Sequence, residues 1–417
     1  MNPAVPTRAI QATPEPIVLG EYDRSDHVLS DDVVASIRRV AGSKLRISRA
    51  DEAGRWSIET GSDVGTISVP GCRILVHPKV TDANLFHLLG VSSRLLPRPA
   101  DEFGYGSQSD LVAIMATIYA AALEHSLASG MVRRYVTENE RLFAVRGRID
   151  VAAQLRSGGL PLPLHCAFDE YTEDIALNRV LVAGAAALLR HPSVAPRGRQ
   201  RLHTLVARFD GLSMLRPSDL VDVWVFDRLS AHARVPYRLA RLILEGSSVI
   251  DRHGTAGAAT FLIDMNQLYE EFLEVQLRQA LAGRLEVAGQ RSTKLDAGGS
   301  VTMRPDLVFG PPRAPVFVGD AKYKLTESGL GRDRDYYQLL AYCTALRLPE
   351  GVLVYCRNDS DTPPQEAVVR HLGTVLHTRP LTISGSPAAI DAQIDDLAEW
   401  VIGRVAARFK HGMNIAV

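Results

Sequence analysis

The stretch from 301 to 346, VTMRPDLVFGPPRAPVFVGDAKYKLTESGLGRDRDYYQLLAYCTAL, restricts the possible folds most, because it pins charged side chains to the ends of two short apolar runs. Asp306 opens Leu307-Val308-Phe309, and Val316-Phe317-Val318 leads through Gly319 into Asp320-Ala321-Lys322. Apolar runs of this length, bounded by Gly and Pro, read as buried strands. Neighbouring strands in a sheet lie under about 5 Å apart, so Asp306 and Asp320 are expected to face one divalent cation. Lys322, two residues beyond Asp320, then points to the same side. Downstream, Tyr336 to Tyr342 begins a helix on which Gln338 and Tyr342, four apart, share a face and flank the site.

Those residue types suit phosphodiester hydrolysis. A hard cation such as Mg²⁺ takes oxygen ligands, usually one or two carboxylates with water and substrate phosphate. It acidifies water and offsets charge on the pentacoordinate phosphorus. Asp306 and Asp320 are the expected ligands, with the Ala321 carbonyl as a further one, and Lys322 would orient the attacking water or stabilise the transition state. Glu270, near the start of an amphipathic segment ahead of the first run, is a further candidate metal ligand. For Glu271 and Glu274 on the same segment, surface ion pairing is the expectation.

The 417 residues are enough for two or three domains. A hydrophobic share of 46% and a charged share of 23% are those of an ordinary soluble protein. No apolar run approaches the roughly 20 residues of a membrane span, and MNPAVPTRAIQATPEP lacks the order of a signal peptide, so no membrane contact and a cytoplasmic location are expected. Cys72, Cys166, Cys343 and Cys356 lack the spacing of a zinc site or disulfide framework and are expected to be reduced and structural. Lys plus Arg balances Asp plus Glu at 47 each, which excludes a bulk polycation; any nucleic-acid contact must come from a local patch or a partner.

In chain order, a frayed Pro-rich start precedes a possible edge strand at VLGEYD. A short helix follows within 31–49, then short strands joined by Gly turns up to about residue 80. Helices are expected over Asn84 to Leu96 and Asp110 to Gly130. RRYVTENERLFAVRGRIDV at 133–151 reads as strand broken at Gly147, with Arg146 and Arg148 on one side; solvation and contact with a partner or phosphate are equally open for that pair. At 166–190, Asp169, Glu170, Glu173 and Asp174 stand before an Ala- and Leu-rich helix, complementing its N-terminal partial charge. RHPSVAPRGRQR at 190–201 carries no acid, which leaves phosphate contact or a solvated loop. After a junction at GTAGAA, 254–259, FLIDMNQLYEEFLEVQLRQAL at 261–281 reads as one amphipathic helix. GVLVYC is a further buried strand, one or two more follow, and AAIDAQIDDLAEWVIGRVAARF closes the chain as a helix.

Pro305-Asp306 with Asp320-Ala321-Lys322, followed by Gln338 to Tyr342, resembles the PD-(D/E)XK nuclease superfamily with its QxxxY extension. Over most of its length the chain resembles the McrC family, the nuclease subunit of McrBC-type modification-dependent restriction systems. That resemblance rests on HPKVTDANLFHLL, VRGRID, FDEYTEDIALNRVL, DMNQLYEEFLE, RPDLVF, VGDAKYK and YYQLLAYCTAL, in this order. It implies an α/β protein in three parts: an N-terminal β-rich and helical docking region (1–130), an Arg-rich, mainly helical middle (131–255), and a PD-(D/E)XK restriction-endonuclease-like domain (256–417) with a mixed sheet flanked by helices. It further implies Mg²⁺-dependent cutting of double-stranded, modified DNA, assembly on a hexameric AAA+ GTPase resembling McrB whose hydrolysis it stimulates, and pairing of two such subunits on DNA. For Arg146 and Arg148 it suggests a partner contact. Two alternatives remain: a stand-alone repair or junction nuclease, which would bind DNA unaided, and a non-catalytic activator of a partner NTPase, which would need a degenerate metal site.

Overall fold

The computed structural model describes residues 15–89, 110–158, 162–221, 224–248, 259–323, 333–357 and 364–413. The Pro-rich start, residues 254–258 of the junction and the part of the 84–96 helix beyond residue 89 lie outside them. Near the N-terminus the alternating segments form strands as expected. Arg55–Thr60 sits between Arg24–Val28 and Leu45–Arg49 in a three-stranded antiparallel sheet. The helix Asp31–Ala41, capped by Ser30, buries Val34, Ile37 and Val40 at helical spacing.

A second sheet runs Ile17–Gly20, Cys72–His77, Asp63–Val69, Ala259–Asp264, Ser247–Ser248. Its fourth strand corrects the sequence reading. FLID, read as the front of the helix at 261–281, is strand, and the helix begins only at Met265 with Asp264 as its cap. Ala259–Asp264 pairs antiparallel with Asp63–Val69, nearly 200 residues earlier. The approach is closest at Gly65, where φ is +139° and a Cβ would stand 2.0 Å from the Phe261 carbonyl oxygen. Gly65→Ala therefore combines a backbone conformation hostile to L side chains with a backbone clash, and is expected to lower the unfolding free energy by about 3 kcal/mol. A urea midpoint equal to that of the unchanged protein would refute this.

The middle of the chain is helical, with Leu111–Ala128, Ala176–Leu189, Pro196–Val206 and Arg234–Gly246 packed together. Leu111–Ala128 is long and apolar enough to cross a bilayer, contrary to the sequence reading, but 67% of it is buried inside the protein. Tyr119, fully buried on this helix, donates to the Leu181 carbonyl at 2.6 Å. From this helical body a three-stranded ribbon projects, Leu164–Thr172 between Arg134–Leu142 and Arg148–Ile149. Asp169 and Glu170 thus lie on a strand rather than at a helix start. Of the acidic cluster, Glu173 pairs with Arg133 at 2.7 Å, and Asp174 with Asp219 grips the buried Arg179 at 2.8 and 3.0 Å.

The C-terminal part is a six-stranded mixed sheet in the order Val287–Ala288, Leu307–Phe309, Phe317–Lys322, Glu350–Arg357, Val375–Thr382, Gln365–Val368. Glu350–Arg357, parallel to both neighbours, is buried at all eight positions, as a strand covered on both faces requires. One face, with Phe309, Phe317, Val352 and Val354, packs with Phe272 and Leu273 of Met265–Ala280 and with Ile394 and Val401 of Pro387–Met413. The other, with Val318, Leu353 and Tyr355, takes Leu339, Tyr342 and Cys343 of Asp333–Leu346. The closing helix is tied down by Glu350, which accepts from His377 at 2.9 Å and from Arg404 at 2.8 Å. All four cysteines are free and buried.

Candidate functional site

The antiparallel register Leu307↔Gly319, Val308↔Val318, Phe309↔Phe317 brings Asp306 level with Asp320 across the hairpin. Alternation from Val318 then puts Asp320 and Lys322 on the face covered by Asp333–Leu346, so the expected grouping is present. Asp320 is fully buried, and its carboxylate touches the Lys322 ammonium. Asp306 accepts from the Ala321 N–H at 2.9 Å. The Ala321 carbonyl leaves the strand at the same edge as that N–H, toward Asp306. Gln338 donates to the Tyr342 hydroxyl at 2.6 Å, and that hydroxyl donates on to the Arg304 carbonyl, two residues ahead of Asp306.

Among the described residues, carboxylates outnumber cations in this cluster. Burial, then repulsion from Asp320, pushes the Asp306 carboxyl well above the carboxylate range. Burial raises Glu270 to about 7, with Lys322 opposing and Asp320 reinforcing the shift. Burial also works against the Lys322 ammonium, but Asp320, Asp306 and Asp335 outweigh it and hold its pKa above the ordinary value. Among the described residues, the Lys322 ammonium thus feels four carboxylates, Asp320, Asp306, Asp335 and Glu270. Among the described residues, both Asp320 oxygens are shut off from water, and apart from the Lys322 contact neither has a hydrogen-bond donor. A buried acceptor left that way is costly, and a hard cation is what such oxygens fit. Among the described residues no three His, Cys, Asp or Glu groups close on a single point. Asp306, Asp320 and the Ala321 carbonyl could hold a Mg²⁺ ion that keeps several waters; Glu270 stands close enough to feel Asp320 and Lys322 but outside a three-carboxylate cluster.

Sequence reasoning missed the supports behind this group. Asp335, buried in the first turn of its helix, accepts from the Tyr355 hydroxyl at 3.0 Å and adds to the field on Lys322. Tyr323, next to Lys322, donates to Glu21 at 2.9 Å, and Glu21 also accepts from the Lys79 N–H at 2.9 Å. Glu21 is 1% exposed and lies 302 residues from Tyr323, a pairing with no local signal in the sequence. Burial lifts its carboxyl from 4.5 to about 7, against the bonds from Lys79 and Tyr323. Between those pH values the folded chain holds a proton that the unfolded chain has released. This group therefore subtracts stability as pH rises through the window, by about 3 kcal/mol in all. Glu21→Gln keeps an acceptor for both donors, and its thermal midpoint relative to wild type should climb from pH 4.5 to 7. A constant difference across that range would show that Glu21 does not titrate in it.

Arg146 and Arg148 are both exposed on the projecting ribbon. Arg146 lies over the Phe168 ring at 3.8 Å and 3.7 Å from Glu170. Gly147 between them has φ +69°, so the alternation that would set both arginines on one side is broken. In the basic stretch at 190–201, Arg199 is turned to its own backbone, donating to the His191 carbonyl at 2.9 Å.

Fold and site together define a mixed α/β protein with two carboxylates and a lysine gathered at one sheet hairpin. The chain belongs to the family described as McrBC 5-methylcytosine restriction system component, which it matches over residues 58–356. Among solved structures it is similar to a refined half-complex of Thermococcus gammatolerans McrB AAA+ hexamers with bound McrC, at 18% identity and TM-score 0.51, over 92% of this chain and all of that one. A cryo-EM structure of the Thermococcus gammatolerans McrBC complex aligns at 22% identity and TM-score 0.41, over 64% of this chain and 88% of that one. No curated protein matches.

Proposed function

We propose that the chain is the DNA-cutting, McrC-like subunit of a McrBC-type system, and that its C-terminal sheet with flanking helices is a PD-(D/E)XK nuclease domain. The observation that carries this reading is the pairing of Asp306 with Asp320 across one hairpin, with Lys322 on the same face, in a chain of a 5-methylcytosine restriction family. Asp306, Asp320 and the Ala321 carbonyl would bind Mg²⁺, with Glu270 as an outer carboxylate. When bound, the cation supplies acidification of the attacking water and positive charge against the phosphorus centre. Lys322, held in place by Asp320, directs its remaining N–H bonds at the attacking water or a non-bridging phosphate oxygen. Gln338 and Tyr342 wall the site and fix the backbone ahead of Asp306.

The similar structure contains McrC bound to McrB AAA+ hexamers, and an McrB-like hexameric GTPase is the partner we assign to this chain. The projecting ribbon suits such a contact. Phe143, Val145, Val151 and Leu155 are 60–80% exposed around Arg146 and Arg148, an unusual density of bare apolar side chains for a free surface. The test combines this full-length chain, an McrB-like partner, GTP and 5-methylcytosine-containing DNA. Double-strand cutting that needs Mg²⁺, the partner and the modification is expected. Cutting without partner would favour a stand-alone nuclease, and raised GTP turnover without cutting would favour an activator.

A further inference from the structure

Between Met265–Ala280 and Asp306 the chain makes an excursion, GQRSTKLDAGGSVTMRP at 289–305, that none of the site chemistry above uses. It forms a small hairpin of its own, with Thr293 opposite Met303 and Lys294 opposite Thr302. Both of its ends are fastened to the candidate site. On the way out, the Gly289 N–H donates to Glu274 at 2.9 Å, and the Gln290 side chain stands close enough to Glu270, one turn away, to hold its pKa down against burial. On the way back, Met303 packs against the cluster containing Tyr342, and the Arg304 carbonyl takes the Tyr342 hydroxyl at 3.3 Å. The tip is locked by Asp296, whose carboxylate accepts from the Val301 N–H at 2.7 Å and from the Ser300 N–H at 3.1 Å and hydroxyl at 2.7 Å. Those bonds, with the Val301 N–H foremost, hold its pKa down to about 2.

This leaves the excursion with a one-sided charge. Its charged side chains are Arg291, Lys294 and Arg304 against Asp296 alone, in a chain whose overall balance is zero, and the Asp296 carboxylate is turned inward to backbone donors. Lys294 and Arg304 are exposed, and Leu295 and Val301, paired at the tip, are 41% and 46% exposed. A rigid hairpin with basic flanks and a small apolar tip, fixed within a few residues of the metal-binding carboxylates, matches a polyanion that passes the site.

We infer that this hairpin is a wing that grips the DNA backbone beside the cleaved bond: Arg291, Lys294 and Arg304 take successive phosphates, and Leu295 with Val301 rests against the sugar edge of the groove. The inference rests on the nuclease reading of the site. It also explains how a chain of zero net charge engages DNA at the point of cutting while a partner supplies the rest of the affinity.

The experiment uses the full-length chain carrying Arg291→Gln, Lys294→Gln and Arg304→Gln together. In EDTA, anisotropy of a fluorescent duplex on the complex assembled with the McrB-like partner should show about tenfold weaker binding at moderate salt. The slope of log affinity against log salt should flatten by up to about 2.7, since each of the three phosphates no longer neutralised accounts for about 0.9. In the assembled complex, the rate of cutting should fall about tenfold at physiological salt and recover at low salt, with partner GTP turnover unchanged. Lys294→Glu, a single exposed change that leaves the backbone pairing intact, should move both readouts the same way, and Arg291→Lys with Arg304→Lys should restore most of the loss. An unaltered salt slope and cutting rate in both the triple variant and Lys294→Glu would overturn the wing. A wild-type complex that never cuts, with the slope still flattened in the variants, would overturn the nuclease reading and leave the wing as a DNA surface.

Discussion

Asp320→Ala is expected to abolish Mg²⁺-dependent DNA cutting, a loss on the order of a thousandfold or more, because half of the carboxylate pair that would hold the cation disappears. Asp306→Ala should do the same. Neither should unfold the protein. Among the described residues Asp320 has no donor beyond the Lys322 contact, and Asp306 is burdened by Asp320, so removing either relieves repulsion while the remaining carboxylate, with Asp335, still faces Lys322. The thermal midpoint in the absence of metal should hold or rise, and stimulation of the partner's GTP turnover should persist. Cutting at the wild-type rate by either variant would remove the metal assignment.

Lys322→Ala should slow cutting by roughly a hundredfold or more, the usual cost of losing a preorganised donor at the reacting centre, while Mg²⁺ binding is largely kept. The ammonium acts on charge that develops during the reaction, whereas the carboxylates act on the cation in the resting state. Since Lys322 is also the cation that touches Asp320, its removal frees an oxygen for the metal rather than depriving the metal of one. Calorimetric titration of Mg²⁺ into the variant separates these roles. If affinity collapses together with activity, Lys322 is a structural counter-ion and not part of the chemistry.

The hairpin bearing Asp306 and Asp320 was readable because everything that specifies it is local. Two apolar triplets, a Gly-Pro-Pro turn region and the even spacing from Asp320 to Lys322 fix strand, register and face without reference to the rest of the chain. The helix carrying Gln338 and Tyr342 was readable for the same reason, through its four-residue spacing. What escaped was long-range or hinged on one residue. FLID looks like helix beside the amphipathic run after it, and only pairing with Asp63–Val69 makes it strand. CAFDEYT looks like the approach to a helix until its pairing with Arg134–Leu142 is known. Arg146 and Arg148 are separated by the positive φ of Gly147, a bend that alternation does not foresee. Glu21 carries no mark in the sequence of its bond to Tyr323.

The strand Ala259–Asp264 has a consequence for how the molecule can be taken apart. It lies between Asp63–Val69 and Ser247–Ser248, yet it continues without a break into the helix that bears Glu270. The joint is bolted as well as threaded: Asp264 accepts from the Ser62 hydroxyl at 3.1 Å, and the Met265 N–H donates to the Ser62 carbonyl at 3.0 Å. A fragment ending near residue 255 would leave the Asp63–Val69 edge bare, and the matching C-terminal fragment would carry the missing strand with nothing to insert it into. Each piece holds what completes the other. Co-expressed, the two halves should therefore behave as a split protein that reassembles by strand insertion, with cutting activity as the reporter of reassembly.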